Sequence, residues 1–118
     1  MNWFMWGCFQ LALAVILGAF GAHGLKNKVT PELLVIFETG NRYHFYHGFA
    51  LLVTGILSFI KNGTQINTAG ILFTIGILIF SGSLYLLTLT GVRWLGAITP
   101  IGGLSFIVGW IFLAIAAR

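Results

Sequence analysis

The hydrophobic positions of this chain fall into four long runs, which three short polar breaks separate. The runs cover about residues 3–25, 41–60, 68–90 and 95–117. Each has about the 20 residues that an α-helix needs to cross roughly 30 Å of hydrocarbon. None alternates with a period of two, as a membrane-spanning β-strand would. The pattern therefore predicts an all-α membrane protein: a four-transmembrane-helix bundle in a single integral membrane domain over residues 1–118.

The first polar break contains a helix start. In Thr30-Pro31-Glu32, threonine can cap the helix, proline fits its first turn, and the acid lies near the positive end of the helix dipole. A single helix from Pro31 to Ile60 would be about 45 Å long, which exceeds the hydrocarbon thickness. We therefore expect a short interfacial helix between helices 1 and 2, from Pro31 to Glu38, that bends into the second span near Gly40.

The composition supports a membrane environment and excludes other classes. Hydrophobic residues make up 58% of the chain, charged residues make up 7%, and the mean hydropathy is +1.01. The six Lys and Arg residues give a net charge of +4 but are scattered, so they form no patch that could follow a phosphate backbone, and no nucleic-acid partner is predicted. The single cysteine, Cys8, excludes an intrachain disulfide and a CxxC metal site.

The predicted topology gathers the unusual polar residues at one membrane face. Four spans put both termini on one side, so the end of helix 1, the start of helix 2, the end of helix 3 and the start of helix 4 lie together on the other. Charged and polar side chains are costly in hydrocarbon and are often functional. The candidate ligand-binding cluster at this face comprises His23, Arg42, Tyr43, His47, Tyr85 and Arg93.

The helical repeat suggests which of these side chains are neighbours. His44 and His47 are three residues apart and share a face of helix 2, and Tyr43 should stack on His47 one turn away. A polar stripe on helix 3 comprises Ser81, Tyr85 and Thr88. The opposite membrane face has residues typical of interface anchors, namely Trp3, Trp6, Lys61 and Trp110.

Four motifs in order carry a family resemblance. They are Gly18-Ala-Phe-Gly-Ala-His-Gly-Leu25, Asn41-Arg-Tyr-His-Phe-Tyr-His47, Ser81-Gly-Ser-Leu-Tyr85, and Thr99-Pro-Ile-Gly-Gly-Leu-Ser-Phe106 with Gly109-Trp110. Together they span nearly the whole chain and resemble the YgdD/YwdK family, small bacterial inner-membrane proteins of unknown function that are related to a small eukaryotic transmembrane protein. The resemblance implies four transmembrane helices and a plasma (inner) membrane location, and it supplies no activity. His44 stands where glutamine is usual in that family.

Two arguments about orientation disagree. The side of the termini holds the N-terminal amine, Lys61 and Arg118, whereas the other side holds four basic residues: Lys26, Lys28, Arg42 and Arg93. By the positive-inside rule this count favours termini outside the cell. The basic C-terminal tails of the family imply cytoplasmic termini instead, and this is the orientation that we expect.

Three classes of function remain open. The polar residues could hold the helices of a structural or accessory membrane component together. They could instead bind a lipid headgroup, a quinone or a small anion, because arginine binds phosphate bidentately. Thirdly, His23 with His44 or His47 could form a metal, haem or proton-handling site, although zinc takes three or four ligands and only Glu38 is an obvious addition.

No catalytic set is recognisable. The chain shows no nucleophile with a base and an orienting residue, so no catalytic residue and no cofactor are predicted, and whether the protein is an enzyme stays open. Membrane lipids are the expected partners. The 16 glycines, most of them inside the apolar runs, also permit close helix contacts within a homo-oligomer or a larger membrane complex. A transport pore would need such an oligomer, because four helices enclose little space.

Overall fold

Four long helices make up the computed structural model, which describes residues 1–118. They are Trp3–Gly24, Pro31–Ile60, Thr64–Thr90 and Arg93–Ala116, here called the first to fourth helices. Each is long and apolar enough to cross a membrane, and the chain contains no β-strand. The prediction of an all-α four-helix membrane bundle is confirmed.

Two of the helices contain a π-helical turn. The first helix is α-helical over Trp3–Ala19 and ends in a π turn, Phe20–Gly24. The third helix is α-helical over Thr64–Gly76, passes through a π turn at Ile77–Ser81, and continues as an α-helix over Gly82–Thr90. A π turn holds an extra residue, so it changes which side chains beyond it face a neighbouring helix.

The fourth helix begins irregularly. It starts with a 3₁₀ segment, Arg93–Ala97, and becomes α-helical over Thr99–Ala116. The third helix ends just before it at Gly91, whose φ of 72° is in the left-handed region and whose N–H donates to the Leu87 carbonyl over 2.8 Å. Glycine suits this C-terminal position because it has no Cβ to clash there.

The second helix is one uninterrupted α-helix of 30 residues, so the predicted interfacial helix from Pro31 to Glu38 and the bend near Gly40 are wrong. The helix start itself is confirmed, because the Thr30 hydroxyl accepts the Leu33 N–H over 3.2 Å. Contacts with the third helix keep the early turns straight, since the Ser81 hydroxyl donates to the Gly40 carbonyl over 2.7 Å. About 15 Å of helix therefore projects beyond a 30 Å hydrocarbon core.

The helices pack as two hairpins. The first helix lies against the second, the third lies against the fourth, and the second and third helices join the two pairs. The whole measures 47 × 26 × 17 Å. The hydrophobic core draws on all four helices and consists of Trp3, Ala50, Leu51, Ala69, Phe73, Ile77, Phe106 and Leu113.

Both termini lie at the same end of the molecule. The Trp3 indole N–H donates to the side chain of Asn67 over 2.9 Å, and the Lys61 ammonium donates to the Arg118 carbonyl oxygen over 2.9 Å. The connection between the second and third helices is therefore at this end. The connections over residues 25–30 and 91–92 lie at the opposite end, which we call the loop end.

Backbone-to-backbone contact between the third and fourth helices depends on Gly102. A Cβ at this position would lie 2.8 Å from Cα of Phe80 and would overlap its backbone nitrogen. A Cβ on the next residue, Gly103, would meet only the Phe80 ring, at 3.8 Å. Small residues allow this close approach in membranes, where helix association relies on packing.

We expect Gly102→Ala to destabilise the fold by about 1–3 kcal/mol, because the backbone of Phe80 cannot move aside as a side chain could. Gly103→Ala is the matched control: it changes helix propensity in the same way at the neighbouring position and meets no close atom. Equilibrium unfolding in detergent micelles would give the free energy of unfolding of each variant. Equal destabilisation by the two substitutions would contradict the packing argument.

Candidate functional site

The structure does not bring the six candidate residues into one cluster. Tyr85 belongs to a buried hydrogen-bonded chain between the first three helices. Tyr43 and His47 belong to a separate aromatic group that reaches the fourth helix. The other three candidates lie at the surface.

His44 is at the centre of the buried chain and is 2% exposed. Its Nδ1 lies 2.9 Å from the Tyr85 hydroxyl of the third helix, and its Nε2 lies 2.8 Å from Oε1 of Gln10 on the first helix. The Asn41 amide extends the chain, with its nitrogen 3.2 Å from the Tyr85 hydroxyl and 2.9 Å from the Ala14 carbonyl. One histidine thus joins three helices.

The donor and acceptor of each hydrogen bond in this buried chain can be assigned by starting from the Ala14 carbonyl. A carbonyl oxygen can only accept, so Asn41 turns its NH₂ group to Ala14 and also donates to the Tyr85 oxygen. The Tyr85 hydroxyl also has a hydrogen to donate, and Nδ1 of His44 is its one neighbour that can accept, so we assign this hydrogen to the bond with Nδ1. Nε2 of His44 carries the ring hydrogen and donates it to Gln10. The ring is therefore the uncharged Nε2–H tautomer.

Gln10 and Asn41 are members of this site that the sequence analysis did not select. Gln10 is 6% exposed and accepts from His44. The sequence does offer a sign of its importance. Between Asn2 and His23, Gln10 is the only residue whose side chain has a carboxamide, carboxyl, hydroxyl or charged group. An amide in the middle of an apolar span needs a partner on another helix. Asn41 lies in the second motif, one residue before Arg42.

The two ring nitrogens of His47 have the opposite hydrogen-bonding roles to those of His44. Its Nδ1 lies 2.9 Å from the Tyr43 carbonyl, which can only accept, so Nδ1 carries the hydrogen. Its Nε2 accepts the indole N–H of Trp110 over 3.1 Å. The ring is therefore the uncharged Nδ1–H tautomer. It also stacks on Phe106, with 3.5 Å between ring centroids and 8° between planes.

Tyr43 and His47 stack as predicted, with centroids 6.3 Å apart and planes at 9°. Trp110 was expected to be an interface anchor. It is 44% exposed, but its indole N–H donates to His47 of the second helix. Trp3 and Trp6 also differ from that expectation: their indoles donate to Asn67 and Thr74 of the third helix, over 2.9 and 3.0 Å. These three indoles hold helices together.

The remaining candidates do not meet either group. His23 is exposed in the π turn that ends the first helix, and Arg42 is exposed on the second helix with no ion-pair partner. Arg93 pairs with Glu32 over 2.6 Å at the loop end, with both side chains more than half exposed. An exposed ion pair of this kind contributes little to stability.

The side chains that could ligate a metal ion are not grouped in this arrangement. No three His, Cys, Asp or Glu side chains come together. The lone pair of each buried imidazole is already engaged, that of His44 by the Tyr85 hydroxyl and that of His47 by the Trp110 indole. Coordination by either ring would require breaking a bond that joins two helices.

A lateral groove separates the second and fourth helices and faces the lipid. Its section nearer the loop end has a volume of about 390 Å³ and is lined by Tyr43 and His47 of the second helix and by Phe106, Ile107 and Trp110 of the fourth. A second section, also about 390 Å³, continues past Trp110 towards the termini and is lined only by hydrophobic residues. The two sections are the largest cavities of the molecule.

Comparison with known proteins places these features in a family. The family described as "Protein of unknown function (DUF423)" matches residues 17–103, which include the buried chain from Asn41 to Tyr85. No solved structure matches the chain.

Several bacterial relatives match almost the whole chain. A UPF0382 membrane protein of Staphylococcus epidermidis (strain ATCC 12228) is 51% identical over 110 residues, 93% of this chain and 89% of that protein. The UPF0382 membrane protein YwdK of Bacillus subtilis (strain 168) is 47% identical over 112 residues, 94% of this chain and 91% of that protein. The resemblance to YwdK is confirmed, and the chain belongs to this family of multi-pass membrane proteins of unknown function.

Proposed function

We propose that this protein is a structural or accessory component of the bacterial plasma membrane, in which the buried histidines join helices and perform no chemistry. The observation that carries the proposal is that no buried side-chain nitrogen or oxygen lacks a hydrogen-bond partner. Functional groups that bind or react with a substrate usually keep a free donor, acceptor or lone pair. Here every buried side-chain nitrogen and oxygen already has at least one hydrogen-bond partner in the protein.

The chemistry of position 44 supports a structural role. In its tautomer, His44 presents one acceptor to Tyr85 and one donor to Gln10. A glutamine side chain also presents one acceptor and one donor, and it neither titrates near neutral pH nor commonly binds metal. The glutamine that the family resemblance places at this position could therefore make both hydrogen bonds.

Two other buried polar residues have the same role. The Ser81 hydroxyl donates to the Gly40 carbonyl over 2.7 Å, and the Thr88 hydroxyl donates to the Leu33 carbonyl over 3.2 Å. Both bonds tie the third helix to the second. Such bonds contribute about 0.6 kcal/mol each in a bilayer, so their combined effect is to fix the arrangement of helices and provide modest stability.

The proposal includes cytoplasmic termini. The basic tails of related proteins support this orientation, whereas the larger number of basic residues at the loop end opposes it. One of those basic residues, Arg93, is held in an ion pair with Glu32.

We expect His44→Leu to lower the free energy of unfolding by about 1–3 kcal/mol, because Gln10 and Tyr85 each lose a partner in the interior. His44→Gln should stay close to the wild type, since it restores one donor and one acceptor. His23→Leu, at an exposed position, is the control for removing an imidazole. Unfolding in detergent micelles measures all three. A His44→Leu variant as stable as the wild type, or more stable, would indicate a functional histidine kept at the expense of stability.

The two buried histidines should also show opposite tautomers. Long-range ¹H–¹⁵N NMR of the histidine-labelled protein in micelles should give an Nε2–H ring for His44 and an Nδ1–H ring for His47. The variants His44→Gln and His47→Gln assign the signals by removing one set each. The same tautomer at both positions, or an imidazolium at neutral pH at either, would be incompatible with the hydrogen-bond directions.

Reporter fusions test the orientation. Green fluorescent protein fused after Arg118 should fluoresce, and alkaline phosphatase at the same point should be inactive, because both report a cytoplasmic C-terminus. Fusions after Asn27, in the first connection, should give the opposite pair of results. An active phosphatase at the C-terminus would reverse the proposed orientation.

A further inference from the structure

We infer that the loop-end section of the groove between the second and fourth helices holds a phospholipid whose headgroup carries a phosphate and a primary amine. Arg42 binds the phosphate, Glu38 binds the amine, and an acyl chain lies along Phe106 and Trp110. The inference rests on the proposed function, because an interior with no free polar group leaves the lipid-facing surface as the place of action.

The groove has the position and shape for an acyl chain. Its loop-end section runs along the fourth helix from Gly103 to Trp110, about 10 Å of helix. This section is shorter than the roughly 15 Å of hydrocarbon that one leaflet contributes, so a single acyl chain can run along its whole length. Five of its seven lining residues are hydrophobic, and Gly103 leaves the space over the Phe80 ring open.

Arg42 is on the second helix, one residue beyond the lining residue of this groove that is nearest the loop end. It immediately precedes Tyr43, which lines the groove, and it is exposed. Along the helix it is about 27 Å from Ile60, close to the far boundary of a 30 Å hydrocarbon core. Its side chain can extend towards the headgroups, and it has no carboxylate within ion-pair distance. A guanidinium in this position fits a lipid phosphate bidentately.

Glu38 supplies the complementary charge for an amine. It is exposed one turn before Arg42, on the same face of the helix, and about 6 Å further from the hydrocarbon. The two side chains form no ion pair with each other. Their order matches a headgroup whose phosphate is attached to the glycerol and whose amine lies further out. A lipid with a phosphate and no amine would place negative charge near Glu38.

The Tyr43 hydroxyl adds a third polar group between the charges and the groove. The Tyr43 ring packs against Phe80, with centroids 4.6 Å apart, and lines the groove. Its hydroxyl has no partner in the protein, and no unpartnered side-chain atom is buried, so it faces the groove or the headgroups. There it can donate to an ester carbonyl of the same lipid.

Native mass spectrometry of the full-length protein in mild detergent tests the inference, with dioleoyl phosphatidylethanolamine and dioleoyl phosphatidylglycerol as probes. We expect one bound phosphatidylethanolamine, preferred over phosphatidylglycerol by about tenfold, a size typical of one charge-assisted hydrogen bond. Arg42→Gln should lose both lipids. Glu38→Gln should keep a bound lipid and lose the preference. Gly103→Leu should lose both by filling the groove.

The Glu32–Arg93 pair provides matched controls. Glu32→Gln and Arg93→Gln remove exposed charges of the same signs at the same end of the molecule, outside the groove, and should bind lipid as the wild type does. Unfolding midpoints verify that every variant is folded. Equal retention of both lipids by the wild type, unchanged binding by Arg42→Gln, or a dimer without lipid would each overturn the inference.

These results are separable from the test of the proposed function. Failure of lipid binding while His44→Leu is destabilising would overturn only the lipid site. A stable His44→Leu variant with normal lipid binding would overturn only the structural role of the interior.

Discussion

A polar side chain inside the hydrocarbon of a membrane has no water to bond, so it must find a partner within the protein. This constraint explains the arrangement around His44. The Ala14 carbonyl sets the orientation of Asn41, and Nδ1 of His44 is then the only acceptor for the Tyr85 hydroxyl hydrogen, which sets the tautomer of the histidine. The chain ends at Gln10, which accepts the ring hydrogen. Four side chains on three helices therefore have one mutually consistent set of donors and acceptors, and a shift of any helix would leave several of them unpaired.

These hydrogen bonds depend on close packing, and the glycines provide it. A Cβ on Gly18 would lie 2.8 Å from Oδ1 of Asn41, so a larger residue there would displace the amide that bonds to Ala14. Gly40 likewise brings its own carbonyl within 2.7 Å of the Ser81 hydroxyl. Because the lipid is as apolar as the helices, hydrophobic burial does not drive these contacts. Small residues and hydrogen bonds act together. The small residues allow the helix backbones to come close, and the hydrogen bonds favour one arrangement of the helices over the others.

The sequence predicted the four spans, the cap at Thr30 and the end of the molecule where the polar residues lie, because these depend on local composition and helix length. It could not predict how each helix is rotated towards its neighbours. His44 and His47 share a face, yet three residues turn a helix by about 300°, so the rings point about 60° apart. That difference directs His44 to the first helix and His47 to the fourth. The absence of a bend at Gly40 could not be predicted for a related reason. The second helix is held straight there by a hydrogen bond from Ser81, which is 41 residues away in the sequence.

The same residue types have different roles at the loop end because of their positions relative to the bilayer. Glu32 and Arg93 lie on projecting turns and pair with each other, where water screens the interaction. Glu38 and Arg42 lie about two and three turns nearer the hydrocarbon than Glu32 and remain unpaired, on the helix that further along lines the groove. As the surroundings become less polar, an unpaired charge costs more and a charged partner from the lipid stabilises it more. The buried polar side chains of this protein form hydrogen bonds within it. Among the groups that still lack a partner are the charges of Glu38 and Arg42 at the edge of the membrane, and a lipid headgroup can supply one.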